Sequence, residues 1–227
     1  MKISILLPYK ENFSPEYAGA VSLSVNDINN KNIYKKNVTI FGNTSYKNYL
    51  SKNYTNIQLS KKIFQSKSKI YVNSFISLQK KNLPELIEIH NRPNYIKIIS
   101  ENLNIRLHLF FHNDPIEMNG SKTVEERIFL LEKLDHIIFN SIWCRNRFFI
   151  GLNKKKYTNK TSITYQSSSK VKINFNKKKK IISFVGKLNK AKGYDVFAIA
   201  IKKILDKYKD WSAVVFGDEP REKIKLE

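Results

Sequence analysis

The sequence is poor in cysteine, glycine and proline, and it contains no long apolar stretch. Its 227 residues include one cysteine, Cys144, so no disulfide can form within the chain. The longest apolar runs fall well short of the roughly 18 to 20 residues that a membrane-spanning helix needs. The run from Ile3 to Pro8 resembles a short signal-peptide core, but Lys10 and Glu11 close it and no small-residue cleavage site follows closely. These absences predict an intracellular soluble protein.

Hydrophobic residues make up 41% of the chain and aromatic residues 12%. This composition excludes a disordered tail, and the seven glycines exclude a collagen-like repeat. The length corresponds to about one and a half typical domains, which is enough to close at least one ordinary hydrophobic core.

Acidic residues are scarce, because 19 Asp and Glu face 41 Lys and Arg and leave a formal net charge of +22. Such a balance is typical of proteins that bind nucleic acids or anionic surfaces. However, 35 of the basic residues are lysine, and Asn and Ile are abundant while Ala and Gly are scarce. AT-rich codons specify this set of residues, so part of the charge reflects genomic composition and says little about partners.

Short apolar runs with the length of strands alternate with segments that have helical spacing. The predicted strands are Ile3 to Leu7, Val38 to Phe41, Ile70 to Val72, Leu86 to Ile89, Leu107 to Phe111, Ile137 to Phe139, Ile181 to Val185 and Ala213 to Phe216. The helical segments include Val21, Val25 and Ile28; Tyr95, Ile98 and Ile99; Val124, Ile128 and Leu131; and Phe197, Ala200, Ile201, Ile204 and Leu205. This alternation indicates an α/β fold with a mainly parallel sheet.

Helix-capping signals support part of this assignment. Thr123 and Glu126 have the spacing of a capping box, and Pro93 suits the first turn of a helix. From Asn153 to Lys180 the pattern gives way to polar, lysine-rich sequence. We therefore predict a Rossmann-like domain over residues 1–152, a linker over 153–180, and a single βαβ unit over 181–227, which cannot by itself cover both faces of its sheet.

The strand that ends at Gly186 leads into a loop with Lys187 and Lys192, and a helix begins near Gly193. A helix N-terminus offers unpaired N–H groups and partial positive charge, so two flanking lysines would suit a diphosphate. The alternative is a solvated loop in a lysine-rich protein.

These residues resemble the retaining glycosyltransferases of family 4, which have the GT-B fold and a G-[RK]-x-x-x-x-K-G element at the start of the second domain. Here Gly186-Lys187 is followed by Lys192-Gly193, and Gly217 follows the next strand. The resemblance implies that Lys187 and Lys192 grip the diphosphate of a nucleotide-sugar donor, with Gly186 and Gly217 beside it. It implies no cofactor and no metal.

In the N-terminal part, Gly19 lies in a small-residue segment after the first strand, where such enzymes have a turn whose backbone approaches the ligand. The alternative is a simple helix start. His112 and Asp114 directly follow another strand, at a position where open α/β sheets bind ligands. A lone histidine there is also compatible with a structural role. The resemblance implies that His112 is catalytic and that Asp114 lies in the cleft.

Two further residues are acceptor-side candidates. Arg92 would contact an anionic acceptor or cap the helix that Pro93 begins, and Ser141 would N-cap a helix at the domain cleft. Cys144 lies in an apolar helical pattern, which favours core packing over a nucleophile. The four histidines are not spaced as metal ligands with cysteines or carboxylates, so no metal site is predicted.

The resemblance implies transfer of a sugar from a nucleotide diphosphate sugar to a hydroxyl of a saccharide or lipid-linked acceptor, in synthesis of cell-envelope polysaccharide or lipopolysaccharide. It would act in the cytoplasm or at the inner face of the cell membrane. The alternative is a basic module that binds nucleic acid or an anionic membrane; nucleic acid is disfavoured because no recognition-helix, RNP or zinc-finger signature is present. The family's E-x7-E element is absent, so the chain is expected to be truncated within the second domain.

Overall fold

The computed structural model describes residues 1–59, 65–167 and 172–217, and the chain divides into two compact units, Met1–Ser169 and Lys170–Glu227. The predicted segment after Gly217 and most of the serine run at 167–169 lie outside the described residues. The first unit extends past residue 152, because the stretch predicted as a linker supplies the last strand of its sheet.

Within the described ranges, the first unit contains a seven-stranded sheet in the order β3-β2-β1-β4-β5-β6-β7, and every adjacent pair is parallel. The strands are β1 (Ile3–Leu6), β2 (Val38–Gly42), β3 (Tyr54–Asn56), β4 (Leu86–His90), β5 (Arg106–Phe111), β6 (His136–Phe139) and β7 (Thr161–Ile163). The helices are α1 (Ala20–Lys31), α2 (Lys67–Lys81), α3 (Tyr95–Asn102), α4 (Val124–Lys133) and α5 (Ile142–Phe148). This Rossmann-like parallel α/β architecture is the one predicted from the sequence.

The sheet separates two apolar cores. The larger core joins α2, α3, α4 and α5 to one face of the sheet through side chains such as Phe75, Ile99, Leu130 and Phe148. The smaller core packs Val21 and Val25 of α1 against the opposite face, over β1 and β2. Strand residues therefore alternate between the two cores, as a parallel sheet with helices on both faces requires.

Local capping accounts for several helix starts. The Thr123 hydroxyl accepts from the Glu126 amide while the Glu126 carboxylate accepts from the Thr123 amide, which confirms the predicted capping box. Ser141 caps α5 by accepting from the Cys144 amide at 3.1 Å. Pro93 lies two residues before α3, which begins at Tyr95.

The strand prediction for Ile70 to Val72 is wrong, because these residues lie in α2. Ser66 caps that helix, and its buried residues continue at helical spacing through Phe75 and Gln79. A three-residue apolar run has no period of its own, so it cannot distinguish a strand from a buried helix. The edge strands β3 and β7 were not predicted, since they are short and partly polar.

The second unit contains β8 (Ile181–Val185), α6 (Tyr194–Lys207) and β9 (Ser212–Phe216), and the two strands are parallel. This is the predicted βαβ unit. None of the residues described between 172 and 217 is fully buried. Val185 is 77% exposed and Phe216 58% exposed on neighbouring strand positions, so one apolar face of this small sheet is open.

Candidate functional site

A chain of hydrogen bonds runs across the carboxyl ends of β4 and β5. The Glu88 carboxylate contacts His90 Nε2 at 2.6 Å, and His90 Nδ1 contacts His112 Nε2 at 2.8 Å. The side-chain amide of Gln166 contacts His112 Nδ1 at 3.2 Å. Both ring nitrogens of His112 therefore have partners within the first unit, and we call these four residues the histidine chain.

Ring stacking fixes the orientation of the two histidines. Phe110 stacks on His112 with ring centroids 4.4 Å apart and on His90 with centroids 5.2 Å apart, and both pairs are close to parallel. His90 is 1% exposed and His112 9% exposed, whereas Gln166 is exposed. The Nδ1 edge of His112 is thus on the side of the histidine chain that lies nearest to solvent.

Two asparagines hold the backbone on either side of His112. Asn91 has a left-handed backbone conformation (φ 55°), which asparagine tolerates better than most residues, and its side-chain oxygen accepts from the His112 amide at 3.1 Å. The Asn140 side chain donates to the His112 carbonyl at 2.8 Å. These bonds tie the end of β5 to the ends of β4 and β6.

Burial and hydrogen bonding determine which members of the histidine chain are charged. Burial, with a further contribution from His90, lowers the pKa of His112 to about 3, so this imidazole is neutral at neutral pH. Burial raises the pKa of Glu88, but the hydrogen bond from His90 and electrostatic interactions with His90 and His108 outweigh burial and lower that pKa overall. The buried carboxylate of Glu88 therefore lies at one end of a pair of hydrogen-bonded histidines, His90 and His112.

A second row of polar side chains lies across the same face of the sheet. Glu88 is in register with His108, and His108 is in register with His136, with the two imidazole rings 5.6 Å apart. His136 Nε2 contacts the Ser162 hydroxyl of β7 at 2.9 Å. Burial lowers the pKa of both His108 and His136. We call Glu88, His108, His136 and Ser162 the cross-strand row.

The acceptor-side candidates lie near the same strand ends, but each has a structural partner. Asp114 receives a two-pronged ion pair from Arg147 of α5, with contacts of 2.8 to 3.2 Å, and its carboxylate also accepts from the Ile116 amide. Arg92 is half-buried and donates to the Asn91 carbonyl at 2.7 Å. Ser141 combines its capping bond with donation to the Asn140 side chain.

Gly19 caps α1 and lies against the carboxylate of Glu11. A Cβ at position 19 would overlap that carboxylate, which also accepts from the Ser22 amide at 3.1 Å. The absence of a side chain at Gly19 is thus explained by Glu11, which already supplies negative charge to the N-terminus of α1.

Cys144 is buried, and burial raises the pKa of its thiol to about 12. Its sulfur contacts the Asn113 carbonyl at 3.3 Å. This environment suits packing and disfavours a thiolate.

In the second unit, the loop between β8 and α6 has the predicted layout. Gly193 caps α6 with a left-handed backbone (φ 71°), and α6 begins at Tyr194. The Asn189 side chain accepts from the Lys192 amide at 3.1 Å and so shapes the loop. Lys187 and Lys192 are exposed, and in the described part of the chain neither ammonium group forms an ion pair.

Gly186 and Gly217 meet at the carboxyl ends of β8 and β9. The Gly186 amide donates to the Phe216 carbonyl at 2.9 Å, and a Cβ on Gly217 would overlap the Gly186 carbonyl oxygen. Gly217 is therefore required by the close approach of the two strand ends, whereas Gly186 has a backbone φ of 156°, which residues with a side chain rarely adopt.

Sequence reasoning identified His112 but assigned no role to Glu88, His90, Asn91 or Gln166. The signal for the first two was the alternation along β4, which places Glu88 and His90 on one face, beside the face of β5 that carries His112. Among the described residues, no group of three or more His, Cys, Asp or Glu side chains could hold a metal ion. In the same residues, no helix is long and apolar enough to span a bilayer.

Residues 166–227 match the family model described as Glycosyl transferases group 1. No curated protein sequence matches the chain. Among solved structures, it is similar to sucrose-phosphate synthase from Thermosynechococcus elongatus, with a TM-score of 0.69, 12% identity, and coverage of 98% of this chain and 64% of that one.

Two other solved structures are similar. One is Anabaena Alr3699/HepE in complex with UDP-glucose, with a TM-score of 0.63, 15% identity, and coverage of 95% of this chain and 60% of that one. The other is the apo form of the lipopolysaccharide outer core galactosyltransferase WaaB, with a TM-score of 0.61, 13% identity, and coverage of 97% and 62%.

The chain spans 60 to 64% of the lengths of these three proteins. At such low identity the likenesses establish the fold, and the seven-stranded parallel sheet of the first unit matches theirs. The chain therefore has the Rossmann-like architecture of GT-B glycosyltransferases, and its C-terminal segment carries the sequence pattern of Glycosyl transferases group 1.

Proposed function

We propose that the chain belongs to a retaining, family 4 glycosyltransferase that moves a sugar from a nucleotide diphosphate sugar to an acceptor hydroxyl. The observation that carries this proposal is the loop after β8, which joins Gly186 and Lys187 to Lys192 and the N-terminus of α6 within the segment that matches Glycosyl transferases group 1. The UDP-glucose bound to HepE supports a nucleotide diphosphate sugar as the class of donor. The function of WaaB supports a role in cell-envelope polysaccharide or lipopolysaccharide synthesis.

On the donor side, Lys187 and Lys192 stabilise the negative charge that develops on the departing diphosphate. Both ammonium groups are exposed on one short loop, and the N-terminus of α6 adds unpaired N–H groups. Gly186 and Gly217 leave the strand ends without side chains, so a ligand can approach the backbone there. Catalysis then rests on positioning and electrostatics, and no metal is needed.

In the first unit, His112 acts at the sugar, and Arg92, Asp114 and Ser141 contribute to the acceptor side. The Asp114–Arg147 ion pair leaves this edge of the sheet with little net charge at Asp114. The saccharide or lipid-linked acceptor therefore meets a polar surface there, with Arg92 as its cationic group. The N-terminus of α1 at Gly19 contributes through its backbone, and a phosphate would have to share it with Glu11.

We also propose that the enzyme works in the cytoplasm and contacts the anionic inner face of the cell membrane through a patch on and after α5. This patch, the α5 patch, comprises exposed apolar side chains next to exposed lysines. Its members are Ile142, Trp143 and Ile150, which are 51 to 59% exposed, and Lys154, Lys155 and Lys156. Aromatic and aliphatic side chains rimmed by lysine are typical of proteins that lie at a membrane interface.

Calorimetry with UDP, GDP and ADP tests the donor site, followed by sugar transfer from the nucleotide that binds. We expect Lys187→Ala and Lys192→Ala each to weaken diphosphate binding at least tenfold and to lower turnover by about ten- to a thousandfold. Lys203→Ala, which removes an exposed lysine from α6, is the matched control. Equal affinities in Lys187→Ala and Lys203→Ala, or no binding of any nucleoside diphosphate, would contradict the assignment.

Co-sedimentation with phosphatidylglycerol or phosphatidylcholine vesicles tests the membrane contact. We expect binding to the anionic vesicles alone, and its loss in Trp143→Ala with Ile150→Ala, whereas Lys202→Ala with Lys203→Ala should have little effect. Binding to duplex DNA that weakens by about three orders of magnitude between 50 and 200 mM salt would instead support a nucleic-acid partner.

A further inference from the structure

We propose that Glu88 and His90 are positioning residues that hold His112 in one tautomer, with the proton on Nε2 and Nδ1 left as a hydrogen-bond acceptor. The role of His112 at the sugar rests on the proposed function, but its tautomer does not. All four residues of the histidine chain belong to the first unit, and its three contacts are 2.6 to 3.2 Å long.

The hydrogen bonds of the histidine chain have one direction, because its first member, the Glu88 carboxylate, can only accept hydrogen bonds. An ionised Glu88 carboxylate carries no proton, so His90 Nε2 must donate across the 2.6 Å contact. A neutral His90 then has a bare Nδ1, and this nitrogen must receive a proton from His112 Nε2 across 2.8 Å. Nδ1 of His112 is therefore unprotonated.

The other end of the chain is consistent with this direction. The group of Gln166 that faces His112 Nδ1 is its amide nitrogen, which can only donate. The competing arrangement is a doubly protonated His90, which would reverse the last two bonds and place the His112 proton on Nδ1. That arrangement would require Gln166 to turn its oxygen toward His112 and would bury a second charge at a residue that is 1% exposed.

Other titratable groups near the chain do not replace Glu88 as the anchor. The face of the sheet that carries Glu88 also carries His108 on β5 and His136 on β6, and burial lowers the pKa of both. The nearby Asp114 is already paired with Arg147. Glu88 is thus the carboxylate that contacts His90, and its removal should release the tautomer.

A fixed tautomer has a consequence for what His112 recognises. An unprotonated, neutral ring nitrogen can accept a hydrogen bond from a hydroxyl group. It has no N–H donor to offer to a diphosphate. Gln166 is exposed, so its amide can leave and a ligand hydroxyl can take its position at Nδ1. Nδ1 of His112 is then positioned to accept a hydrogen bond from a ligand hydroxyl.

Long-range ¹H–¹⁵N spectra of the ligand-free chain at pH 7 read the tautomers without any need for activity. We expect His112 to show a protonated Nε2 and an unprotonated Nδ1, and His90 to show the same pattern. A His112 proton on Nδ1, or fast exchange between both tautomers in the wild-type chain, would overturn the proposal. Because this measurement uses the unaltered chain, it holds even if a variant fails to fold.

Glu88→Gln removes the charge of Glu88 and retains its size, so the spectra should then show His112 as a mixture of tautomers. Glu101→Gln, on the exposed surface of α3, is the matched control and should leave the spectra unchanged. In a transfer assay, Glu88→Gln should lower kcat/KM by about ten- to a hundredfold, by analogy with the loss of the hydrogen-bond partner of a metal-bound histidine. Its affinity for UDP, measured by calorimetry, should stay the same.

The outcomes separate the two proposals. The expected spectra without binding of any nucleoside diphosphate would support the tautomer assignment and contradict the proposed function. Loss of activity in Glu88→Gln together with an unchanged His112 tautomer would show that Glu88 does not act through His112, and the positioning role would be wrong.

Discussion

Gly217 at the end of β9 lies directly against the carbonyl oxygen of Gly186 at the end of β8. Gly217→Ala should therefore push the two strand ends apart and weaken the Gly186–Phe216 hydrogen bond, at a cost of about 1 to 3 kcal/mol to the second unit. Hydrogen exchange at the Gly186 amide measures the change. Gly193→Asn is the comparison, because Asn tolerates the left-handed conformation of that position and should have a smaller effect. Equal exchange in wild type and Gly217→Ala would contradict the packing described.

The open apolar face of the second unit predicts low local stability. Val185, Val196, Ile199 and Phe216 are each more than half exposed, and no described residue of this unit is fully buried. Amides of β8, α6 and β9 should therefore exchange with solvent faster than those of β4 and β5, which lie between two cores. Hydrogen exchange followed by mass spectrometry checks this, and equal protection in both units would count against it.

The buried side chain of Arg127 in α4 connects two segments of the first unit through hydrogen bonds. Its guanidinium donates to the carbonyls of Ser121, Lys122 and Ile150 at 2.6 to 3.2 Å, and the residue is 3% exposed. Arg127→Ala would leave three carbonyl groups without these donors, so the free energy of unfolding should fall by about 2 to 4 kcal/mol. Urea titration measures the loss. Lys133→Ala, at the exposed end of the same helix, should change stability by less than about 0.5 kcal/mol.

The buried histidines predict how stability depends on pH. The pKa of His112 is lowered to about 3 by burial, and those of His108 and His136 are lowered too, so the unfolded chain binds more protons than the folded chain below about pH 6.5. The free energy of unfolding should therefore decrease from pH 7 to pH 5, by up to about 1.4 kcal/mol per pH unit for each neutral histidine. Glu88, whose pKa is lowered, titrates below this window.

Denaturant titrations of the wild type and of His112→Gln check this dependence. Glutamine keeps an N–H group near the position of Nε2 but does not titrate, so the slope between pH 7 and pH 5 should become shallower by the contribution of one histidine. An identical slope in both proteins would show that His112 is protonated in the folded chain.

Sequence reasoning succeeded where the physical signal is local. The apolar runs of β1, β4 and β5, the Thr123–Glu126 capping box, the Ser141 cap and the turn at Gly193 all lie within a few residues of the structure they determine. It failed for Ile70 to Val72, where packing of α2 on the sheet decides the conformation.

The site was less predictable because its contacts join distant parts of the chain. Glu11 reaches the N-terminus of α1, and Arg147 reaches Asp114 from 33 positions away. Gln166 meets His112 only because β7 and the residues after it return to the sheet. No periodic pattern in the sequence encodes such pairs. His112 has no evident partner in the sequence, but in the fold its ring contacts His90 and Gln166.

The cross-strand row also constrains how the sheet assembles. Side chains alternate between the two faces, so sliding β4 by one residue would carry Glu88 into the large apolar core that Ile87 and Ile89 now fill. Burying a carboxylate without partners costs far more than an ordinary mispairing between aliphatic residues. The cross-strand row therefore helps to set the strand register during folding. It makes misaligned pairings among β4, β5, β6 and β7 unfavourable, although the apolar residues alone would tolerate them.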